Sequence, residues 1–190
     1  MTDQPKPTTD AGGADTSSAD ASGADASGGN ADWERRVAAL WEVLDEVEPT
    51  EFQARMEALA SEQPSDSGPA AFERASAFDA TGYSDLAVPL YQRALKLGGL
   101  LDGRRRQAVV QLASSLRNLG RADESVVLLR AERERTSDQL DDAVSAVLAL
   151  ALADTGRERE AVSVAVGALA PHLPRYQRSM AEYARLLLEP

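Results

Sequence analysis

Three glycines, at positions 82, 120 and 156, divide the second half of this 190-residue chain into similar segments. Each follows an apolar, helix-like stretch and precedes another. Aligned on the glycines, the segments read Phe-Asp-Ala-Thr-Gly82-Tyr-Ser-Asp-Leu-Ala87, Leu-Arg-Asn-Leu-Gly120-Arg-Ala-Asp-Glu-Ser125 and Leu-Ala-Asp-Thr-Gly156-Arg-Glu-Arg-Glu-Ala161. A small residue stands five places after each glycine (Ala87, Ser125, Ala161) and seven places before it (Ala75, Ala113, Ala149). Glycine can end a helix in a left-handed conformation at little steric cost. Small residues on both sides then let two consecutive helices approach closely. A chain with this period can fold as a stack of helical hairpins, in which each unit buries its apolar face against the next.

The rest of the body agrees. Val37, Leu40, Trp41, Leu44 and Val47 form one helical stripe, which Pro49 is expected to stop. Thr50 can cap a helix carrying Phe52, Met56 and Leu59, and the run Gln63–Pro69 is a break. Strand-like alternation is sustained nowhere, so the body is expected to be all-α. Tyr176, Met180, Tyr183, Ala184 and Leu187 recur at helical spacing behind Pro174, which suits a final helix that caps the stack. Residues 1–32 hold no Val, Ile, Leu, Phe, Trp or Tyr, and six Asp against one Lys. Such a segment cannot offset its ordering entropy and reads as a disordered acidic leader. The expected organisation is a leader over 1–32, a helical hairpin over 33–62, a linker over 63–69 and a repeat region over 70–188. The repeat region divides into 70–98, 104–136, 139–170 and a capping helix over 174–188. Trp33 and Trp41 either cap the first repeat or expose a partner-binding or dimerisation surface.

Composition removes several classes of function. Without cysteine there is no disulfide framework, thiolate zinc site or thiol nucleophile. One histidine, His172, leaves little for histidine-based catalysis, and its Pro-His-Leu-Pro context reads as a surface turn. The net charge of −11 disfavours nucleic acid and anionic membranes as partners. No apolar run is long enough for a membrane span, and no basic-then-apolar signal opens the chain, so a cytoplasmic location is expected. Eighteen of the 20 cations are Arg, and Ile is absent, as in GC-rich bacterial coding sequences. The run Arg104-Arg105-Arg106 reads as a solvated face. The pairs Glu132/Glu134 and Glu158/Glu160 read as helical ion-pairing partners. No cofactor, metal site or catalytic set is expected.

The glycine and alanine framework resembles the tetratricopeptide repeat family. Ala-Val-Pro-Leu-Tyr-Gln-Arg-Ala (87–94), Gln-Leu-Ala-Ser-Ser-Leu-Arg-Asn-Leu-Gly (111–120) and Ala-Leu-Ala-Asp-Thr-Gly-Arg-Glu-Arg-Glu-Ala (151–161) look like a short bacterial subfamily of unassigned function. The resemblance implies a right-handed α-solenoid of helical hairpins with a C-terminal capping helix. Its concave face would be built from the first helix of each pair. It further implies a non-enzymatic adaptor that binds a protein or peptide, with a homodimeric module as the alternative and a small-ligand sensor or enzyme behind both.

Candidate groove residues, counted back from the glycines, are Phe72, Ser76, Asp79, Val110, Ser114, Arg117, Asn118, Leu150 and Asp154. Arg117 would sit between Asp79 and Asp154. It is then either an inter-repeat ion pair or an anchor for a carboxylate, with Asn118 and Ser114 beside it. The Lys, Arg and Asn clamp by which some family members hold chaperone C-termini is not matched. The comparable positions include Phe72, Ser76, Gln111 and Val147, and none is lysine.

Overall fold

The structure, a computed structural model, describes residues 21–135 and 137–189. Nine α-helices run through them: α1 (Ala21–Glu42), α2 (Pro49–Ser61), α3 (Gly68–Ala80), α4 (Ser84–Leu97), α5 (Asp102–Asn118), α6 (Ala122–Arg133), α7 (Asp141–Asp154), α8 (Glu158–Leu169) and α9 (Gln177–Leu186). No strand occurs among the described residues. Each helix packs on its neighbours in the chain. In addition α3 touches α5 and α5 touches α7, so the first helices of successive pairs form one inner row. This is the expected all-α solenoid of helical hairpins.

The three glycine turns share one geometry. Gly82, Gly120 and Gly156 have φ of 88°, 74° and 73°. At each, the glycine N–H reaches back to the third carbonyl before it (Asp79, Arg117, Ala153) at 2.9–3.0 Å. The next N–H (Tyr83, Arg121, Arg157) donates to Phe78, Leu116 or Leu152 at 2.8–2.9 Å. These six-residue closures stop the first helix and turn the chain into the second. Ala75, Ala87, Ala94, Ala113, Ala149 and Ala161 are buried beside them, as close helix approach requires. At the head of α3 the approach is tighter still. A Cβ on Gly68 would lie 1.8 Å from the Gly98 carbonyl oxygen, so only glycine fits between α3 and the end of α4.

Three buried clusters follow one another along the stack. Trp33, Val37, Phe52, Met56 and Ala70 join α1, α2 and α3. Phe72, Tyr91, Leu112 and Leu116 join α3, α4 and α5, and Leu129, Val144, Leu148 and Leu152 continue through α6 and α7. Trp33 is 1% exposed, and its indole N–H donates to the Leu59 carbonyl at 2.8 Å. It therefore closes the N-terminal end of the core.

Several boundaries differ from the sequence reading. Helix α1 starts at Ala21, inside the segment expected as leader; residues 1–20 of that segment lie outside the described residues. With Gly23, Gly28 and Gly29 among its residues, the stretch has little helix propensity of its own, and it continues a helix nucleated by the apolar stripe that begins at Trp33. Pro49 opens α2 rather than ending α1. The chain leaves α1 at Glu42 through a 3₁₀ turn at Leu44–Glu46, and Thr50 lies within α2. Ser67 caps α3, accepting from the Ala70 N–H at 3.2 Å, so that helix begins at Gly68. The last helix begins at Gln177, leaving Pro174 outside it, and Tyr176 takes a left-handed φ of 69°. Ala184 is buried against α8, where Ser163 Oγ donates to its carbonyl at 2.7 Å, but Tyr176 and Tyr183 face outward.

The arginine run is the largest correction. Arg104, Arg105 and Arg106 are not a solvated face. Arg104 grips Glu34 of α1 through both terminal nitrogens at 2.7 and 2.6 Å. Arg105 grips Glu132 of α6 in the same way at 2.9 and 2.8 Å. Arg106, 1% exposed, reaches Asp141 at 2.6 Å, Asp138 at 3.0 Å and Glu132 at 3.9 Å. Glu132 is correspondingly buried and bonds to α5 rather than along its own helix. Breaking a buried pair from one side leaves an uncompensated charge. Arg106→Ala is thus expected to lower unfolding free energy by about 3 kcal/mol, read as a drop in the urea midpoint. An unchanged midpoint would show that the pairing carries no weight.

Candidate functional site

The expected groove residues fall into two groups along the first helices. Phe72 and Ser76 of α3 are buried and line a hollow of about 300 Å³ with Glu34, Ala38 and Trp41 of α1 and Gln107 and Gln111 of α5. Farther along, Val110 and Ser114 of α5 are half-buried, and Leu150 of α7 is 51% exposed. Val110 packs on the second core cluster beside Val147.

The polar candidates are largely engaged between helices. Arg117 Nε lies 2.5 Å from Asp154 Oδ2, an ion pair that joins α5 to α7. Asp79 does not complete the expected row. Its Oδ1 accepts from Ser115 Oγ at 2.6 Å, and its Oδ2 lies 3.4 Å from the Tyr91 hydroxyl. The reason is position on the helix: Asp79 is partly buried against α4 and α5, whereas Arg117 reaches the more exposed Asp154. Burial raises the Asp79 carboxyl above its ordinary range, against the lowering effect of the Ser115 and Tyr91 hydroxyls. Burial also raises the Tyr91 phenol well above its usual value. Asn118 is exposed and donates through Nδ2 to Ser84 Oγ at 3.5 Å, a weak contact. Ser76 Oγ lies 3.3 Å from the Tyr91 hydroxyl and 3.4 Å from Gln111 Oε1.

The residues that sequence reasoning missed surround the hollow. Glu73 is 3% exposed. Its Oε2 accepts the Trp41 indole N–H at 2.9 Å, and its Oε1 lies 3.7 Å from Arg104 Nη2, beyond hydrogen-bond reach. The Arg104 guanidinium stands over the Phe72 ring, 5.8 Å from its centroid. Its fork is taken up by Glu34, whose carboxyl the Arg104 hydrogen bonds hold below the usual range. Glu73 goes the other way. Desolvation raises it, the Trp41 bond and the Arg104 charge only oppose this, and the Glu34 charge adds to it. One signal was present in the sequence: Glu73 interrupts the apolar run Ala70–Ala77.

This gives a pH-dependent expectation. A carboxyl raised on folding adds stability below its unfolded value, ordinarily 4.5, and loses it as pH rises through the folded value. Glu73→Gln keeps an oxygen for the Trp41 indole and removes that titration. The variant should be more stable than the parent near pH 8, and the gap should narrow as pH falls through the raised folded value towards 4.5 and stay constant below it. Parallel urea titrations across that range measure it; a gap independent of pH would contradict a raised Glu73.

No group of three or more His, Cys, Asp or Glu among the described residues could hold a metal ion, and no helix there is long and apolar enough to cross a membrane. No curated protein and no solved structure matches the chain. The family model described as a tetratrico peptide repeat matches residues 68–187, more than half of the sequence and the whole span from α3 to α9. Three superimposable glycine turns, an inner row of first helices and this match agree. The chain belongs to the tetratricopeptide repeat family, whose helical arrays serve in general as protein-interaction scaffolds.

Proposed function

We propose that the chain is a non-enzymatic adaptor that holds an extended peptide or a helix along the inner row. The contact residues in this reading are Phe72, Ser76, Val110, Ser114 and Leu150, edged by Asp79, Arg117, Asn118 and Asp154. The observation that supports it is the hollow of about 300 Å³ between α1, α3 and α5, with Leu150 exposed on α7. A hollow that mixes Phe72 and Trp41 with hydrogen-bonding Ser76, Gln107 and Gln111 suits a ligand that offers side chains and backbone amides. Arg117 acts here as a fixed edge rather than an anion anchor, because an acidic ligand would have to displace Asp154.

Selection of displayed peptides on the purified chain tests the groove. A selected peptide should perturb the amide resonances of Val110, Ser114 and Leu150, and Leu150→Glu should weaken it by about tenfold. Val127 of α6, 70% exposed on a second helix, is the control. Binding that ignores Leu150→Glu but is lost on Val127→Glu would move the site to the outer side, and failure to select any peptide would overturn the reading.

A second reading, a homodimer through the C-terminal end, has its own support. Leu173, Pro174, Tyr176, Met180 and Tyr183 line an apolar hollow of about 650 Å³, and Leu186 and Leu188 are exposed nearby. Grouped apolar surface of this kind marks interaction sites. Sedimentation velocity from micromolar to millimolar chain should then reveal a dimer that Tyr183→Arg disperses. A monomer throughout would reject it.

A further inference from the structure

We propose that the hollow between α1, α3 and α5 is a recognition pocket for a cationic side chain, an arginine or lysine presented by the bound protein. The proposal rests on the groove reading above and specifies the residue that enters its deepest part. Exposed Ala38 and Gln107 mark the mouth, while buried Phe72, Glu73 and Ser76 form the floor. At about 300 Å³ the space is at the small end of ligand pockets, the scale of one side chain rather than a cofactor.

The charge balance selects the occupant. Three lining residues are ionisable, two acids against one base: Glu34, Glu73 and Arg104. Both terminal nitrogens of Arg104 are committed to Glu34, so that pair is neutral and geometrically closed. What remains is Glu73. Its Oε2 has the Trp41 indole, and its Oε1 accepts no hydrogen bond among the described residues. A buried carboxylate with one oxygen unsatisfied is costly. Glu73 is only 3% exposed, so an incoming cation has little water to displace from it. Gln107 and Gln111 add amide oxygens that can accept from a guanidinium or ammonium, and the faces of Trp41 and Phe72 suit its stem. An acidic side chain would face Glu34 and Glu73 against one Arg104, and an apolar one would leave Glu73 Oε1 without a hydrogen bond.

Two indoles make the test direct, because Trp41 donates to Glu73 while Trp33 donates to the Leu59 carbonyl. The probe is N-acetyl-arginine amide, titrated into the full ¹⁵N-labelled chain, with N-acetyl-citrulline amide as the uncharged isostere. The Trp41 indole resonance should move saturably with the arginine probe while that of Trp33 stays still. Citrulline should bind at least about fivefold more weakly, the difference between a charged and a neutral hydrogen bond. Glu73→Gln, with its fold checked by circular dichroism, should weaken the arginine probe by a similar factor. Gln107→Glu, at the exposed mouth, should strengthen it. Equal affinities for arginine and citrulline, insensitivity to Glu73→Gln, or no movement of Trp41 would overturn the proposal. The probe needs no groove. Arginine binding without any selected peptide would uphold the pocket and overturn the groove, and peptide binding without an arginine effect would do the reverse.

Discussion

Arg104, Arg105 and Arg106 stand at the head of α5 and fasten the middle of the stack to both sides. Successive residues of a helix project about 100° apart, so three in a row sweep most of its circumference. The side chains accordingly leave in three directions: to Glu34 on α1, to Glu132 on α6, and to Asp138 and Asp141 where α6 passes into α7. Three cations in a first turn oppose the helix dipole. Carboxylates brought from other helices offset this, and the arginine fork suits two-point bonding to them. Pairs of this kind contribute modestly to net stability but heavily penalise any arrangement that leaves them unmatched.

The same device explains the hollow. Helix α1 is held to α3 and α5 by long side chains, Glu34 to Arg104 and Trp41 to Glu73, rather than by close backbone approach. The later hairpins use alanine and glycine and come together tightly, Gly68 against Gly98 being the extreme. A joint made with glutamate, arginine and tryptophan keeps its helices farther apart and encloses space. The inner row is thus bridged between α5 and α7, where Arg117 meets Asp154, and leaves a hollow between α1, α3 and α5.

The fold was legible because its determinants are local. Gly82, Gly120 and Gly156 announce their turns by spacing, and the alanines at fixed distances from them announce the close faces. The extension of α1 to Ala21 was not legible, because the apolar periodicity that marks a helix is silent in a segment of Ala, Gly, Ser and Asp. The arginine run misled for a different reason. Its partners lie 27 to 70 residues away, so nothing in its own neighbourhood distinguishes it from a solvated face. The Asp79–Arg117–Asp154 row was half legible. The repeat register set Arg117 beside Asp154, but the inward turn of Asp79 to Ser115 depends on a buried hydroxyl pattern that register alone does not specify.

Charge then works at two ranges in this molecule. The total of −11 acts at a distance, favouring approach by cationic partners and falling off with salt. In the inner row two acids are matched at contact distance, Glu34 by Arg104 and Asp154 by Arg117. Long-range attraction alone would draw any basic surface to any face. Discrimination requires a group that still has bonding capacity, and in the hollow that group is Glu73, whose Oε1 has only the Arg104 charge at 3.7 Å and no hydrogen bond among the described residues. The arrangement separates the two tasks: the exposed acids govern encounter, and one buried carboxylate, left over after the fold has paired its neighbours, governs which side chain fits.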